Sequence, residues 1–286
     1  MYLRHIIAAT DESEAGRQAV RTAVDLAARG SARVTVVRVV AVEAVPRFVG
    51  VAEGTGLAGA ASEPEVERLR RWLDAGVFAG GDAPDLQLGV AYGIPGVEIC
   101  RFADNECADL IVLGRKRHSP MMRLLVGDTA DAVARRSRHP SLFVQESTRG
   151  IAKILVALDG SDRGMAVLHQ ACDLAQQAGA GIRVITVERS LANEPPQLAR
   201  SLPLGRSISL QQRVGEVLAR KGLPDSPPAI RRGEIVEQII AEVQETRADV
   251  LVVGYHRGGP PGVLEAGSTA RQLAHAAPCA VLTIPL

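Results

Sequence analysis

Two rhythms of apolar residues alternate along this chain. Short runs near 4–10, 33–40, 86–91, 109–113 and 141–145 have the length and apolar content of strands. Between them, apolar residues recur at helical spacing. The spacing predicts a first helix after Ser13, a helix-capping residue type, with Val20, Val24 and Ala27 on one face and an end near Gly30. A second helix is predicted from about Pro64 to Ala79. A third starts after Gly93 with Pro95 in its first turn, where the missing proline N–H costs nothing. A fourth follows Gly127. Leu110–Leu113 and Val250–Val253 are unbroken apolar runs, which marks strands buried on both faces.

The second half repeats the first. His5-Ile6-Ile7-Ala8-Ala9-Thr10-Asp11-Glu12-Ser13 stands beside Lys153-Ile154-Leu155-Val156-Ala157-Leu158-Asp159-Gly160-Ser161, each an apolar run closed by Asp-x-Ser. Ala108–Gly114 matches Ala248–Gly254, and Gly127-Asp128-Thr129-Ala130 matches Gly267-Ser268-Thr269-Ala270. Each copy then has a helical stretch, a proline (Pro140, Pro278) and a last apolar run. Met165, Leu168, Cys172 and Ala175 space one helical face in the second copy. The offset between copies is 148 residues at the first match and 140 at the later ones, which assigns an extra loop, Gly50–Ser62, to the first copy. Alternating strand and helix imply a parallel sheet with right-handed crossovers. The chain therefore reads as two α/β domains, 1–148 and 149–286.

Ligands of open α/β sheets sit beyond the carboxyl ends of the strands. Asp11 and Asp159, which end the first strand of each copy, fall there. So do the loops after the fourth strands, which run from Gly114 to Gly127 and from Gly254 to Gly267 with 12 residues between the glycines in both. A helix start offers unpaired N–H groups to an anion, and glycine lets the backbone approach it. Ser268 and Thr269 add hydroxyls. A second reading stands beside this one: glycine ends a strand and glycine starts a helix, with no ligand involved. Likewise Asp11 and Asp159 can simply cap the turn that follows them.

Composition narrows the classes. Aromatic residues make up only 3% of the chain, so the cores must be built from Val, Leu, Ile and Ala. With 33 basic and 32 acidic residues, net charge points to neither a nucleic-acid nor a membrane surface. Cys100, Cys107, Cys172 and Cys279 form no Cys-x-x-Cys pair and have no zinc spacing with histidine, and read as buried apolar residues of a reducing compartment. No signal-peptide layout precedes the first strand and no apolar run has membrane-spanning length, so a cytoplasmic protein is expected. Gly54-Thr55-Gly56-Leu57-Ala58-Gly59 matches the dinucleotide fingerprint, but it follows the second strand rather than the first and reads as a loop. His118 and His256 lie in the glycine loops without metal spacing. Arg115-Lys116-Arg117-His118 reads as a solvated or phosphate-facing loop. Arg135-Arg136-Ser137-Arg138 falls at a helix end, where cations suit the dipole.

Taken together, Ile154–Ser161, Gly254–Thr269 and Ala277-Pro278-Cys279-Ala280-Val281-Leu282, with His5–Ser13 and Gly114–Thr129 in the first copy, resemble the universal stress protein family in tandem form. The resemblance covers essentially the whole chain. It implies two Rossmann-like domains of the adenine nucleotide alpha hydrolase-like kind, each a five-stranded parallel sheet flanked by helices. It also implies a stress-response role by binding rather than by catalysis. In members that bind ATP, the first-strand aspartate and a valine after the second strand hold adenosine, and the glycine loop holds the phosphates. Carried onto this chain, the set is Asp159, Val187, Gly254, Gly267, Ser268 and Thr269 in the second copy, and Asp11, Val39, Gly114, Gly127 and Thr129 in the first.

The chain departs from that pattern. Arg117 and Arg257 replace the middle glycine of the loops; an arginine there either clamps a phosphate or fills the loop against it. Asp128 stands where the second copy has Ser268, and a carboxylate at a helix start satisfies the dipole by itself and repels a triphosphate. The expected cofactor is therefore ATP or another adenine nucleotide, in the second domain, with no metal site. The rival expectation is an interaction protein with both sites degenerate. An adenylating enzyme of the PP-loop type is disfavoured, because neither Asp11-Glu12-Ser13-Glu14 nor Asp159-Gly160-Ser161-Asp162 matches its serine–glycine turn. The resemblance further implies pairing of the two domains across Leu142–Val144 and Val281–Ile284. It is compatible with a homodimer, and involves neither nucleic acid nor membrane.

Overall fold

The computed structural model describes residues 2–41, 63–78, 86–115, 128–188, 205–224, 226–255 and 268–286. The extra loop at Gly50–Ser62, the Gly54–Gly59 run, Arg117, His118, Gly127, His256, Arg257 and Gly267 lie outside them. The chain divides into two compact units, Leu3–Thr148 and Arg149–Leu286.

The first unit runs β1 (His5–Thr10), α1 (Glu14–Gly30), β2 (Arg33–Val40), α2 (Glu63–Trp72, closing in a π-helical turn at Leu73–Val77), β3 (Gln87–Tyr92), α3 (Pro95–Asn105), β4 (Leu110–Gly114), α4 (Asp128–Arg136) and β5 (Ser141–Val144). Its strands are parallel in the order β3-β2-β1-β4-β5. The second unit runs β6 (Lys153–Leu158), α5 (Asp162–Ala178), β7 (Gly181–Glu188), α6 (Gly205–Arg220), β8 (Ala229–Arg232), α7 (Ile235–Thr246), β9 (Val250–Tyr255), α8 (Ser268–Ala276) and β10 (Ala280–Pro285). Its parallel order, β8-β7-β6-β9-β10, is the same. The expected Rossmann-like α/β domain, a parallel sheet flanked by helices, is present in each unit.

Burial explains the pattern. Leu110–Leu113 and Val250–Val253 are inaccessible or nearly so, as strands covered on both faces must be. Ile7, Ala9, Ile111, Leu113 and Phe143 form one core with Ile99 and Ala103 of α3 and Val133 of α4. That leaves Ile6, Ala8, Leu110 and Val112 for the other face, where α1 packs on β1 and β4. The second unit repeats this with Leu155, Leu251, Val253 and Val281 against Ile239, Val243 and Leu273. Met165, Leu168, Cys172 and Ala175 are all buried, as their spacing requires. On α1 the buried face is centred on Ala19, Ala23 and Leu26, and Val24 is only half-buried at its margin. The second predicted helix ends two residues early and widens to a π turn, where Arg21 donates to the Gly76 carbonyl at 2.9 Å. Among the described residues no helix is long and apolar enough to cross a membrane.

The amino ends of the central strands are tied in the same way in both units. Asp109 Oδ2 accepts from the backbone N–H groups of Arg4 (2.8 Å) and His5 (2.9 Å). Asp249 Oδ2 accepts from Ala152 (2.9 Å) and Lys153 (2.8 Å). The Ala-Asp-Leu and Ala-Asp-Val of the repeat thus serve the edge opposite any ligand.

His5 has no counterpart in the second unit, where Lys153 takes its place. Its ring is buried; Nε2 lies 2.8 Å from Thr35 Oγ1, whose hydroxyl donates on to Gln87 Oε1 at 3.1 Å. Nδ1 lies 2.9 Å from Arg33 Nη2, a donor, and 3.0 Å from the Glu106 carbonyl, an acceptor. Burial lowers the pKa below 6.5, and the Arg33 charge lowers it further against the pull of the Glu106 carbonyl and of the Glu106 and Asp109 carboxylates. The unfolded chain therefore takes up this proton first. The stability His5 contributes is full above about pH 6.5 and falls as pH drops through the folded value. Chemical denaturation from about pH 7.5 to about pH 5 should show this loss, and His5→Gln should flatten it. A pH profile unchanged by that substitution would remove His5 as its source.

Candidate functional site

The carboxyl edge of each sheet is organised by the turn from its first strand into its first helix. Asp11 Oδ1 accepts from the Ser13 N–H at 3.0 Å and from the Ser13 hydroxyl. Asp159 Oδ1 accepts from the Ser161 N–H at 3.0 Å and from its hydroxyl at 2.7 Å. Each serine is the N-cap of the helix it opens, and its Oγ accepts from the third helical N–H, that of Gly16 (3.2 Å) or Gly164 (3.0 Å). The capping alternative for the two aspartates is thus realised at Oδ1 in both units, while both residues remain exposed at the sheet edge. The glycine three residues into the helix is part of the device. A Cβ on Gly164 would lie 2.7 Å from Asp159 Oδ1, and one on Gly16 would lie 2.6 Å from Thr10 Oγ1 and 3.1 Å from Asp11 Oδ1. The motif is therefore Asp-x-Ser-x-x-Gly. Its glycine, present at the same offset in both copies, is a functional-edge residue that the sequence displays and pattern reading passed over.

The middle residue of the motif separates the units. It is left-handed in both, with φ of 77° at Gly160 and 62° at Glu12. Glycine takes that conformation freely, whereas a residue with a Cβ gives up about 1 kcal/mol. Glu12 is held there by its side chain. Its Oε1 lies 2.9 Å from Arg38 Nε and its Oε2 3.2 Å from Arg68 Nη2, and Arg38 also pairs with Glu65. The Glu12 and Arg38 side chains are only 16% and 15% exposed. In the second unit Thr186 replaces Arg38 at the matching register position beside β6. There Arg213 of α6 reaches the turn and donates to the Gly160 carbonyl at 3.2 Å and to Asp162 at 2.6 Å.

Val39 and Val187 lie at the carboxyl ends of β2 and β7, half-buried against the core that faces α3 and α4 in one unit and α7 and α8 in the other. Gly114 ends β4, and Gly254 is the last residue but one of β9. Their demands differ. A Cβ on Gly114 would stand 2.4 Å from the Ala15 carbonyl carbon and oxygen and 2.7 Å from the Gly16 nitrogen, so α1 crosses β4 in backbone contact. At Gly254 the nearest atoms are the tip of Leu286 at 2.7 Å and Val167 Cγ2 at 3.1 Å. Gly114 is thus required by packing, whatever its relation to a ligand. Helices α4 and α8 begin at Asp128 and Ser268, with Thr129 and Thr269 half-buried in their first turns. The structure places Asp11, Val39, Gly114 and Thr129, and Asp159, Val187, Gly254 and Thr269, on elements that meet the carboxyl edges of their sheets.

Another glycine pair shapes the same edge. Gly93 and Gly233, with φ of 141° and 135°, turn the chain out of β3 and β8, and their N–H groups donate to the carbonyls of Val40 and Glu188. Two of the cysteines are deeply placed. Burial pushes the Cys100 and Cys172 thiols up to about 11, the nearby carboxylates adding to the effect. Cys107, expected inside, is exposed: it sits at φ 50° in the tight turn after α3, which points its side chain away from the core. All four cysteines are free, and the described residues contain no cluster of three or more His, Cys, Asp or Glu side chains suited to a metal ion.

The profile of the universal stress protein family matches this chain twice, at residues 2–145 and 150–285. The chain belongs to the universal stress protein family. It is a tandem member, with two such domains in one polypeptide. A universal stress protein of Thermus aquaticus is 28% identical over 132 residues, 46% of this chain and 96% of its own length. Another, from Methanocaldococcus jannaschii, is 29% identical over 146 residues, 50% of this chain and 82% of its own. Among solved structures, a universal stress protein from Archaeoglobus fulgidus superposes with a TM-score of 0.70 at 18% identity, covering 98% of both chains. A protein of unknown function from Pseudomonas aeruginosa gives 0.68 at 18% identity, covering 99% of this chain and 92% of its own. At that identity the agreement is one of fold.

The two strand-end glycines should respond differently to a methyl group. Gly114→Ala forces α1 off β4 and should cost about 3 kcal/mol, a fall of roughly 10 °C in the unfolding midpoint of the first unit. Gly254→Ala needs only side-chain movement and should cost about 1 kcal/mol or less. Equal effects in calorimetric unfolding of the two variants would contradict the packing account.

Proposed function

We propose that this universal stress protein works in the cytoplasm by binding rather than by chemistry, and that it holds ATP or another adenine nucleotide at the carboxyl edge of its second domain. The observation that carries this reading is the β6–α5 turn. Asp159 is exposed at the strand end, and its carboxylate is oriented through Oδ1 by Ser161 rather than neutralised by an arginine. A carboxylate held in this way suits the hydroxyls of a ribose. Val187 supplies an apolar rim for a base, and the start of α8, with Thr269 in its first turn, suits phosphate. Gly267, Ser268 and Arg257 complete the proposed phosphate side. Two buried thiols with pKa near 11 offer no activated nucleophile at neutral pH, in keeping with a binding role.

A second reading has its own support in the first domain. There the turn carries the ion-paired Glu12, and the sequence places Asp128 at the start of α4, both unfavourable to a phosphate. On that reading the first domain serves contact with another protein.

Calorimetric titration of the intact chain with ATP and AMP tests the nucleotide reading. Binding should be seen by about millimolar ligand and should weaken about tenfold or more in Asp159→Ala, the loss expected for a charge-assisted hydrogen bond. No heat above background at that concentration, for the wild type and variant alike, would rule it out.

A further inference from the structure

We propose that Arg213 of α6 is a positioning residue for the Asp159 carboxylate, acting on it through the single peptide unit that joins Gly160 to Ser161. Its bearing on a ligand rests on the reading of Asp159 as the ribose-binding group; its effect on the carboxylate does not. The Gly160 carbonyl accepts from Arg213 Nη1 at 3.2 Å. The N–H of the same peptide unit, that of Ser161, donates to Asp159 Oδ1 at 3.0 Å. A trans peptide unit is planar, and its C=O and N–H point in opposite directions. One rigid plane is thus held at its oxygen by the arginine and at its nitrogen by the carboxylate.

Gly160 makes that hold necessary. At φ 77° it has no Cβ to resist rotation of the peptide unit that follows, so the plane is set by what bonds to its two ends. An amide whose oxygen accepts from a cation is also polarised toward donation at its nitrogen. The Ser161 N–H is therefore both aimed at Asp159 and strengthened as a donor. The restraint spreads through the turn, since the Ser161 hydroxyl donates to the same Oδ1 at 2.7 Å and its Oγ accepts from Gly164 at 3.0 Å. Helix α6 delivers the guanidinium by its own packing. Leu210, Val214, Val217 and Leu218 are buried, Arg213 lies half-buried at the margin of that face, and Leu210 comes within 4.0 Å of where a Cβ on Gly160 would stand. The other arm of the guanidinium donates to Asp162 at 2.6 Å. The Asp162 side chain is 98% exposed, so that surface pair contributes little by itself. The first unit has the same N–H bond to Asp11 but ties its turn through the Glu12 side chain. The two domains thus steady the same aspartate by different means.

Two measurements on the intact chain test this: calorimetric titration with adenosine and with ATP, and amide hydrogen exchange. Arg213→Met should weaken adenosine about fivefold or more, the loss expected for one oriented hydrogen bond. ATP should weaken by the same factor, because an arginine spent on the turn has no phosphate to meet. The Ser161 N–H should exchange at least about tenfold faster while the interior amides of α5 keep their rates, which separates an orienting role from general loosening of the helix. Arg213→Lys can reach the Gly160 carbonyl with one N–H but cannot also span to Asp162, and should recover part of both losses. Asp162→Asn removes the ion pair and leaves the carbonyl bond, and should change adenosine affinity by less than about twofold. A loss confined to ATP would overturn the inference, since it would make Arg213 a phosphate contact. So would Arg213→Met with adenosine affinity or Ser161 exchange unchanged. A wild type that binds no adenosine would overturn the second-domain nucleotide reading alone; Ser161 exchange, which needs no ligand, then decides the role of Arg213.

Discussion

Parallel pairing of β1 with β4, and of β6 with β9, is the constraint on which each domain depends. These strands are distant in sequence and apolar on both faces. Two parallel strands cannot be joined by a tight turn, and a doubly apolar strand must be covered twice. Both demands are met by helices that cross over on opposite sides. The chain winds outward from β1 through β2 and β3, then returns to place β4 on the other flank. The helices after β1 and β4 then leave to opposite faces, and a crevice opens between their starts.

The two edges of each sheet are built for different ends. At the amino edge, Asp109 and Asp249 each accept two backbone N–H groups and lock the central pair of strands. At the carboxyl edge, Asp11 and Asp159 accept one N–H and one hydroxyl through a single oxygen, which fixes the carboxylate while leaving the residue exposed. Gly16 and Gly164 give that carboxylate room beside the helix. A ligand edge of this kind can diverge without loss of fold, because the residues that distinguish the domains, Glu12 and Gly160 or Arg38 and Thr186, contribute little to the strand pairing beneath them. That separation accounts for one family fold carrying two unlike corners in one chain.

Much of the edge was legible in the sequence because its parts are local. Ser13 and Ser161 cap helices three residues from their partners, and Pro95 stands at the first position of α3. Other features depend on contacts from afar. The demand for glycine at Gly114 comes from the backbone of Ala15, far earlier in the chain, and no local pattern displays it. Glu12 carries no local signal of its own, and only the folded chain brings Arg38 and Arg68 to it. Cys107 carried the apolar average of its type but falls in a turn.

The sequence by itself determined the duplication, the strand and helix order and the family, since these rest on periodicity and on motifs a few residues long. Tertiary structure alone decided which charges meet. Arginines from β2, α2 and α6 converge on two turns that differ at Glu12 and Gly160, and only the packing of those elements brings Arg38 and Arg68 to one turn and Arg213 to the other. Side-chain pairing across some fifty residues follows from where the helices come to rest, and helix position is set by the burial of both sheet faces.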